Sequence, residues 1–212
     1  MRRNQIDRAI HLFETEAAYA ETADIKEGHA DVGPGKTPSY PLGAIAQNDL
    51  ALAYIAKGDY LQARLWCQEA LGSDDSNKDV LSNLAKISEK LRNWKWPITT
   101  TGEYLQYAGM GQWNSFCVRQ LNADKISVSF SGMWNGLGFL KYGPSGIGDF
   151  KATVALKNGT AVYDGEAEFP CKVHMKFMPD QVELSQTGDC GFGHNVEASG
   201  RFDRVSVLPD CN

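Results

Sequence analysis

One stretch of 34 residues, from Ala44 to Asn77, limits what this chain can fold into more than any other feature. It reads AIAQNDLALAYIAKGDYLQARLWCQEALGSDDSN, and Gly58-Asp59 divides it into two helical patterns. Small residues recur on the face that the two helices would share, and large residues fill the space between them. The small positions are Ala51, Ala63 and Ala70, and the large ones are Leu50, Tyr54, Tyr60 and Leu71. The pattern predicts two antiparallel helices that approach each other closely.

These positions and the turn glycine resemble the tetratricopeptide repeat, whose period is also 34 residues. The likeness ends at Asp75, which stands where that repeat usually has a proline. Repeats of this kind are binding scaffolds, so the resemblance implies protein–protein interaction rather than catalysis. In a conventional array Gln47 and Asn48 would face the concave groove, and both are therefore predicted to contact a partner.

Helical patterns flank the repeat on both sides and complete a predicted helical domain at residues 1–97. Residues Gln5–Thr22 form an amphipathic pattern whose apolar spacing matches that of the second repeat helix. We therefore expect the chain to begin inside the second helix of an earlier, degenerate repeat. Two interpretations stay open: residues upstream have been removed, or this helix packs as a cap. A third helix is predicted over Asp79–Arg92, and Pro97 ends it.

The pattern changes to alternation at residues 98–212, which form the second predicted domain. Short segments rich in β-branched and aromatic residues are separated by glycine turns, and Asn158-Gly159 is typical of a tight hairpin. The predicted strands are Gly102–Ala108, Trp113–Gln120, Lys125–Trp134, Gly148–Leu156, Thr160–Asp164, Cys171–Met178, Gln181–Gly188 and Gly200–Val207. The two halves together predict an α+β protein, with TPR-like helical hairpins followed by an antiparallel β-sandwich or small β-barrel.

Five cysteines leave at least one without a partner in the same chain. Cys171 opens one strand of a predicted hairpin and Cys190 follows the other, which places their α-carbons within disulfide range. Cys117 and Cys211 form a second candidate pair. Cys67 is predicted to be a small buried thiol that packs between the repeat helices. Metal binding is the rival interpretation, but no CxxC or HxxxH spacing supports it. A Cys171–Cys190 disulfide would imply an oxidising compartment.

The stretch from Cys171 to Phe202 contains CGFGHNVEASGRF and resembles a small β domain of bacterial envelope proteins, sometimes found beside lysozyme-inhibitor-like modules. The upstream segment GEYLQYAGMGQWNSF belongs to the same resemblance, which implies a binding protein without enzymatic activity. A narrower likeness links ASGRF to the SGxRY loop of periplasmic inhibitors of c-type lysozyme, which enters the enzyme cleft. Ser199 and Gly200 match in place, whereas Arg201 comes one position early. A plain turn that enters the last strand is the alternative interpretation.

A glycine-flanked tip near Cys190 is the predicted contact surface of this domain. Two interpretations stay open for Phe192, which either fills a pocket of the partner or folds back into the core. The predicted partner-binding residues here are Phe192, His194, Asn195, Ser199 and Arg201.

Charge and composition exclude several classes of function. The net charge of −5 argues against nucleic acid, because nothing in such a chain would replace the counterions along a phosphate backbone. No apolar run approaches the roughly 20 residues that cross a bilayer, so membrane insertion is not expected. None of the four histidines has a nucleophile or carboxylate in a recognisable catalytic arrangement. We therefore expect no enzymatic activity, no cofactor and no metal.

The leading expectation is a non-catalytic protein-binding protein, of the bacterial immunity or inhibitor type, that binds and neutralises a toxin or a cell-wall hydrolase. The alternative is an envelope adaptor that uses the helical groove to assemble other proteins. We expect a periplasmic location, reached by a leader that is absent from this sequence, with a cytoplasmic location as the alternative.

Overall fold

Helices are followed by strands in the computed structural model, which describes residues 2–30, 39–96, 98–135, 142–144 and 146–208. The helices are α1 (Arg2–Glu27), α2 (Ala44–Lys57), α3 (Tyr60–Ser73) and α4 (Lys78–Leu91). The strands are β1 (Gly102–Gly109), β2 (Gln112–Asn122), β3 (Lys125–Trp134), β4 (Gly146–Ala155), β5 (Thr160–Asp164), β6 (Cys171–Phe177), β7 (Gln181–Gly188) and β8 (Gly200–Ser206). This order confirms the α+β class with a C-terminal antiparallel β domain.

α2 and α3 form the predicted helical hairpin. α2 ends at Gly58, whose φ of 85° lies in the left-handed region that favours glycine. Asp59 caps α3, because its carboxylate accepts a hydrogen bond from the backbone N–H of Gln62 at 3.2 Å. Ala51 and Ala63 are fully buried between the helices. The small residues therefore allow the close approach that the sequence pattern indicates.

The two outer helices differ slightly from the predicted bounds. α1 extends beyond Gln5–Thr22 at both ends, because Asp24 continues its buried face and the helix stops only before Gly28, at a φ of 74°. α4 begins after Asn77, whose side chain accepts from the backbone N–H groups of the next turn, including that of Val80 at 3.2 Å. None of the helices in the described part of the chain combines the length and the apolar character needed to cross a bilayer.

The strands form one antiparallel sheet in the order β4-β3-β2-β1-β8-β7-β6-β5. At its two edges, the Phe150 ring of β4 stacks on the Tyr163 ring of β5, with centroids 4.2 Å apart and planes within 10°. The sheet is therefore a nearly closed barrel, the second of the two predicted architectures. Asn158 and Gly159 adopt positive φ values of 50° and 73°, so the predicted tight turn forms between β4 and β5.

Two hydrophobic cores meet at the β1–β2 hairpin. Large apolar side chains fill the inner face of the barrel, among them Tyr104, Phe116, Phe130, Val173 and Phe202. The helical core includes Trp66 of α3 and extends to Tyr107 of β1 and Trp113 of β2. The Trp66 ring centroid lies 5.2 Å from that of Tyr107 and 4.9 Å from that of Trp113. The change from helix to strand falls between α4 and β1, and the helices pack directly on the barrel.

Candidate functional site

A buried carboxylate joins the helices to the barrel. Glu21 of α1 is 0% exposed and accepts hydrogen bonds from three donors. The Tyr107 hydroxyl donates to its Oε1 at 2.6 Å, and Gln47 Nε2 of α2 donates to the same oxygen at 3.0 Å. The backbone N–H of Met110 donates to Oε2. One side chain therefore connects α1, α2 and the turn between β1 and β2.

The turn after β1 brings these donors to Glu21. Gly109, Met110 and Gly111 all have positive φ, so the chain reverses sharply and directs the Met110 N–H toward α1. The Gly111 N–H donates to the Tyr107 hydroxyl at 2.8 Å, which leaves the hydroxyl proton free to point at the carboxylate. The backbone geometry of this turn thus directs the Met110 N–H and the Tyr107 hydroxyl toward Glu21.

Burial dominates the electrostatics of this carboxylate. It raises the pKa of Glu21 to about 7, against the opposing effect of the hydrogen bonds from Tyr107, Met110 and Gln47, which favour the charged form. The neighbouring carboxylate of Asp24 raises the pKa further. Glu21 therefore changes its protonation state near neutral pH.

α3 makes a second polar contact with the barrel. Arg64 Nη1 lies 3.0 Å from Asp180 Oδ2, and its Nη2 lies 3.7 Å from Asp203 Oδ1. Arg201 Nη2 lies 2.5 Å from the same Asp203 oxygen. Burial and the nearby carboxylates, chiefly Asp203, raise the pKa of Glu69 on α3 to about 8. We call this region the junction; it comprises Glu21, Gln47, Arg64, Glu69, Tyr107, Asp180, Arg201 and Asp203.

The contacts of the junction are typical of a structural connection between helices and barrel rather than of an active site. A carboxyl group with a pKa near neutrality can exchange protons, and such groups are frequent at active sites. Glu21, however, has no exposed surface, and three protein donors occupy its oxygens. Among the described residues, no three His, Cys, Asp or Glu side chains are placed to hold a metal ion. We infer that the junction holds the helices against the barrel in a manner that depends on pH.

Sequence reasoning missed the junction, although one signal was present. Glu21 and Asp24 follow Ala17 on the apolar face of α1, at helical spacing. An acid on an apolar face indicates a buried carboxylate, which needs partners. Its main partner, Tyr107, lies 86 residues away in the chain, and no local pattern points to it.

The predicted contact tip packs against one end of the barrel. The Phe192 ring stacks on Phe150, with centroids 5.8 Å apart and planes within 8°, so this side chain faces inward. A Cβ on Gly148 would lie 2.7 Å from the Phe192 Cβ, which explains why β4 carries a glycine where the tip crosses it. His194 remains exposed, with its ring centroid 5.5 Å from that of Trp134.

The other predicted residues of this surface make internal contacts. The Ser199 carbonyl accepts from Gln106 Nε2 at 3.0 Å, and its hydroxyl oxygen accepts from the backbone N–H of Gln186 at 3.1 Å. The Arg201 side chain is 46% exposed and belongs to the junction. Asn195 occupies a turn with a φ of 56°. Arg201 therefore lies near the helices, whereas Phe192 and His194 lie against β3 and β4.

The two predicted residues of α2 lie in different environments. Gln47 is 1% exposed and donates to Glu21, so it belongs to the junction and does not face an open groove. Asn48 is half-buried, and its Oδ1 accepts from Asn83 Nδ2 of α4 at 3.0 Å. Gln47 and Arg201 thus both belong to the junction, whereas Asn48 contributes to the contact between α2 and α4.

The predicted Cys171–Cys190 disulfide is present, with α-carbons 5.0 Å apart. It links the start of β6 to the tip that contains Phe192. Cys67 is a buried free thiol. Cys117 is also disulfide-bonded, and its predicted partner Cys211 lies outside the described residues.

Removing the Cys171–Cys190 bond should destabilise the protein. The bond spans a sequence separation of 19 residues, for which loop-closure entropy gives a loss of about 3 kcal/mol in the free energy of unfolding. Denaturant unfolding of the Cys171→Ala/Cys190→Ala variant measures this loss. Alkylation of the unfolded, unreduced protein should label Cys67 but neither of these two cysteines. A double variant as stable as the original chain would contradict the expectation.

An open apolar groove of about 430 Å³ runs between α1 and α2. Its apolar lining residues are Ile6, Ala9 and Phe13 of α1 and Leu52, Ala53 and Ala56 of α2. Asp49 adds one carboxylate to the lining. Leu52 is 43% exposed, and Ile45, two turns earlier on the same face of α2, is 70% exposed. We call this surface the α1–α2 groove.

The fold and these surfaces define an α+β protein in which packed helices stand on a nearly closed antiparallel barrel. No family model, curated protein or solved structure matches this chain. The resemblances to the tetratricopeptide repeat and to envelope β domains therefore rest on the residues alone.

Proposed function

We propose that this chain is a non-catalytic binding protein of the immunity or inhibitor type, which holds a toxin or a cell-wall hydrolase in the α1–α2 groove. The proposal rests on one observation: the groove is open and apolar, and one of its two walls is α2, the first helix of the hairpin whose spacing resembles a tetratricopeptide repeat. Exposed apolar surface of this kind is typical of interaction sites.

The chemistry of the groove describes the segment that it would receive. Ala9, Ala53 and Ala56 have short side chains, which leaves room for a leucine or an aromatic side chain of an amphipathic partner helix. Asp49 makes no ion pair in the part of the chain that the structure describes. A lysine or arginine of the partner, close to the apolar anchor, would pair with it.

The junction supports the groove from the barrel side. Glu21 and Gln47 connect α1 to α2, and Arg64 connects α3 to Asp180 of the barrel. Because these helices are already fixed, the groove would lose little conformational freedom when a partner binds.

The second half of the chain favours neutralisation over assembly. A disulfide suits an extracytoplasmic compartment, where secreted toxins and wall hydrolases act. The segment ASGRF at the start of β8 resembles the SGxRY loop of periplasmic inhibitors of c-type lysozyme. An envelope adaptor would use the same groove, but its partner would keep its own activity in the complex.

We expect Leu52→Asp to weaken binding of the partner by about tenfold or more, because it places a charge in an apolar contact. A photo-crosslinking residue at position 52 would identify the partner in native extract, and the purified pair would then give the affinity. Leu121→Asp is the matched control, since Leu121 is a comparably exposed leucine on β2, at 53%.

A second variant, His194→Asp/Arg201→Glu, tests the predicted tip and loop in the same assay. If this variant loses binding while Leu52→Asp binds the partner fully, the contact surface lies on the barrel and the assignment to the groove is wrong. Stoichiometric loss of the partner's activity supports neutralisation, whereas undiminished activity would leave the adaptor as the function.

A further inference from the structure

α1 carries a second exposed surface, on the side turned away from the helical core. Leu12 is 57% exposed and Tyr19, two turns later, is 66% exposed. Arg8 lies one turn before Leu12 and Glu16 lies one turn after it, and both are exposed. We call these four residues the α1 stripe. At their spacing they lie on one face of the helix, beside the α1–α2 groove but outside it.

The charges of the α1 stripe are arranged symmetrically about Leu12. Arg8 is four residues before it and Glu16 is four residues after it. If two such helices pair antiparallel and cross at Leu12, Arg8 of each copy faces Glu16 of the other. An isologous two-fold interface requires this kind of self-complementarity.

We propose that the α1 stripe is an interface between two copies of this chain, with the two α1 helices antiparallel and Leu12 on the two-fold axis. The two Leu12 side chains pack on each other, and Tyr19 covers the flank of the contact. The two Arg8–Glu16 pairs fix the direction and the register of the helices.

The two charges of the α1 stripe have no ion-pair partner among the described residues of the same chain. Neither Arg8 nor Glu16 makes an ion pair in the part of the protein that the structure describes, although Asp7 nearby pairs with Lys57 at 2.9 Å. Binding to a different protein would not require opposite charges at equal distances on either side of a central leucine. A second copy supplies both complements at once.

The expected dimer is weak. A contact limited to one pair of helices falls below the roughly 1,200 Å² of a stable interface, so we expect association only at micromolar or higher concentrations. Two copies joined in this way would present two α1–α2 grooves side by side, which would strengthen binding to any partner with two copies of the recognised segment.

Charge reversal at the two positions tests the proposal. In Arg8→Glu, and likewise in Glu16→Arg, like charges face each other twice, so sedimentation velocity over about 5 to 500 µM should show a dissociation constant raised about tenfold or more. An equimolar mixture of the two single variants should form a heterodimer, because each mismatched pair then becomes attractive. The double variant Arg8→Glu/Glu16→Arg should dimerise like the original chain.

Controls separate this interface from loss of folding and from the groove. Glu89→Arg, on the exposed surface of α4, makes the same charge change and should leave self-association unaltered. Leu52→Asp should also leave it unaltered, so failure of the proposed function and failure of the dimer are distinguishable. Circular dichroism and thermal midpoints show whether each variant is folded. A chain that stays monomeric throughout, or single variants that fail to associate on mixing, would overturn the proposal.

Discussion

Replacing Glu21 by alanine should lower the free energy of unfolding by about 3 to 5 kcal/mol, a large share of the stability of a domain of this size. The substitution leaves three buried donors without an acceptor: the Tyr107 hydroxyl, Gln47 Nε2 and the Met110 N–H. Each unsatisfied buried group costs about 1 to 3 kcal/mol. Loss of the negative charge recovers part of this cost, because burial already disfavours that charge.

Denaturant unfolding followed by tryptophan fluorescence measures this effect directly. Trp66 and Trp113 pack around Tyr107, so their emission reports on the junction as well as on global unfolding. Glu89→Ala is the matched control, because Glu89 is an exposed glutamate on a helix that contributes no residue to the junction. Glu21→Gln keeps the shape and one acceptor, and should fall between the two. A Glu21→Ala protein within about 1 kcal/mol of the original would show that the junction does not hold the halves together.

The strands were the most predictable part of the fold, and their order in the sheet was the least. Alternation and turn residues are local signals, and all eight predicted strands lie within a few residues of the observed ones. Asn158-Gly159, for example, forms the turn that its sequence predicts. The pairing of β1 with β8, in which Leu105 lies opposite Asp203, is set by contacts between distant segments. A local pattern carries no information about such pairs, which left both the sandwich and the barrel open.

The candidate site was less predictable for the same reason. The Arg64–Asp180 contact joins residues 116 positions apart, and either residue alone resembles any solvated charge. Phe192 had two interpretations because a tip phenylalanine between glycines suits both an anchor and a core residue; its stacking on Phe150 depends on barrel closure. Gln47 was placed in a groove by analogy with an array, but the nearby barrel converts that face of α2 into a buried junction.

Stability should fall as the pH rises from 5 to 9, because two junction carboxyl groups have raised pKa values. Burial raises the pKa of Glu21 to about 7 and that of Glu69 to about 8, from 4.5 in each case. Between the unfolded and folded values, the native state holds protons that the unfolded chain has released. The free energy of unfolding therefore decreases through this window and levels off at about pH 9, one unit above the folded pKa of Glu69.

Each unit of pKa shift in one group corresponds to about 1.4 kcal/mol, so the shift of buried Glu21 alone gives a loss of about 3 kcal/mol. Glu69 keeps partial exposure, which reduces its contribution, and we expect a total loss of about 5 kcal/mol. Glu69→Gln should remove about half of this loss and should stabilise the protein at pH 9, since it deletes a charge near Asp203 and Glu21. Unfolding curves at intervals of one pH unit measure both effects, with Glu89→Gln as the exposed control. If stability instead rises toward pH 9, the two raised carboxyl groups of the junction are not the source of the pH dependence. If only Glu69→Gln leaves the slope unchanged, Glu69 makes no contribution to it, and the slope comes from Glu21.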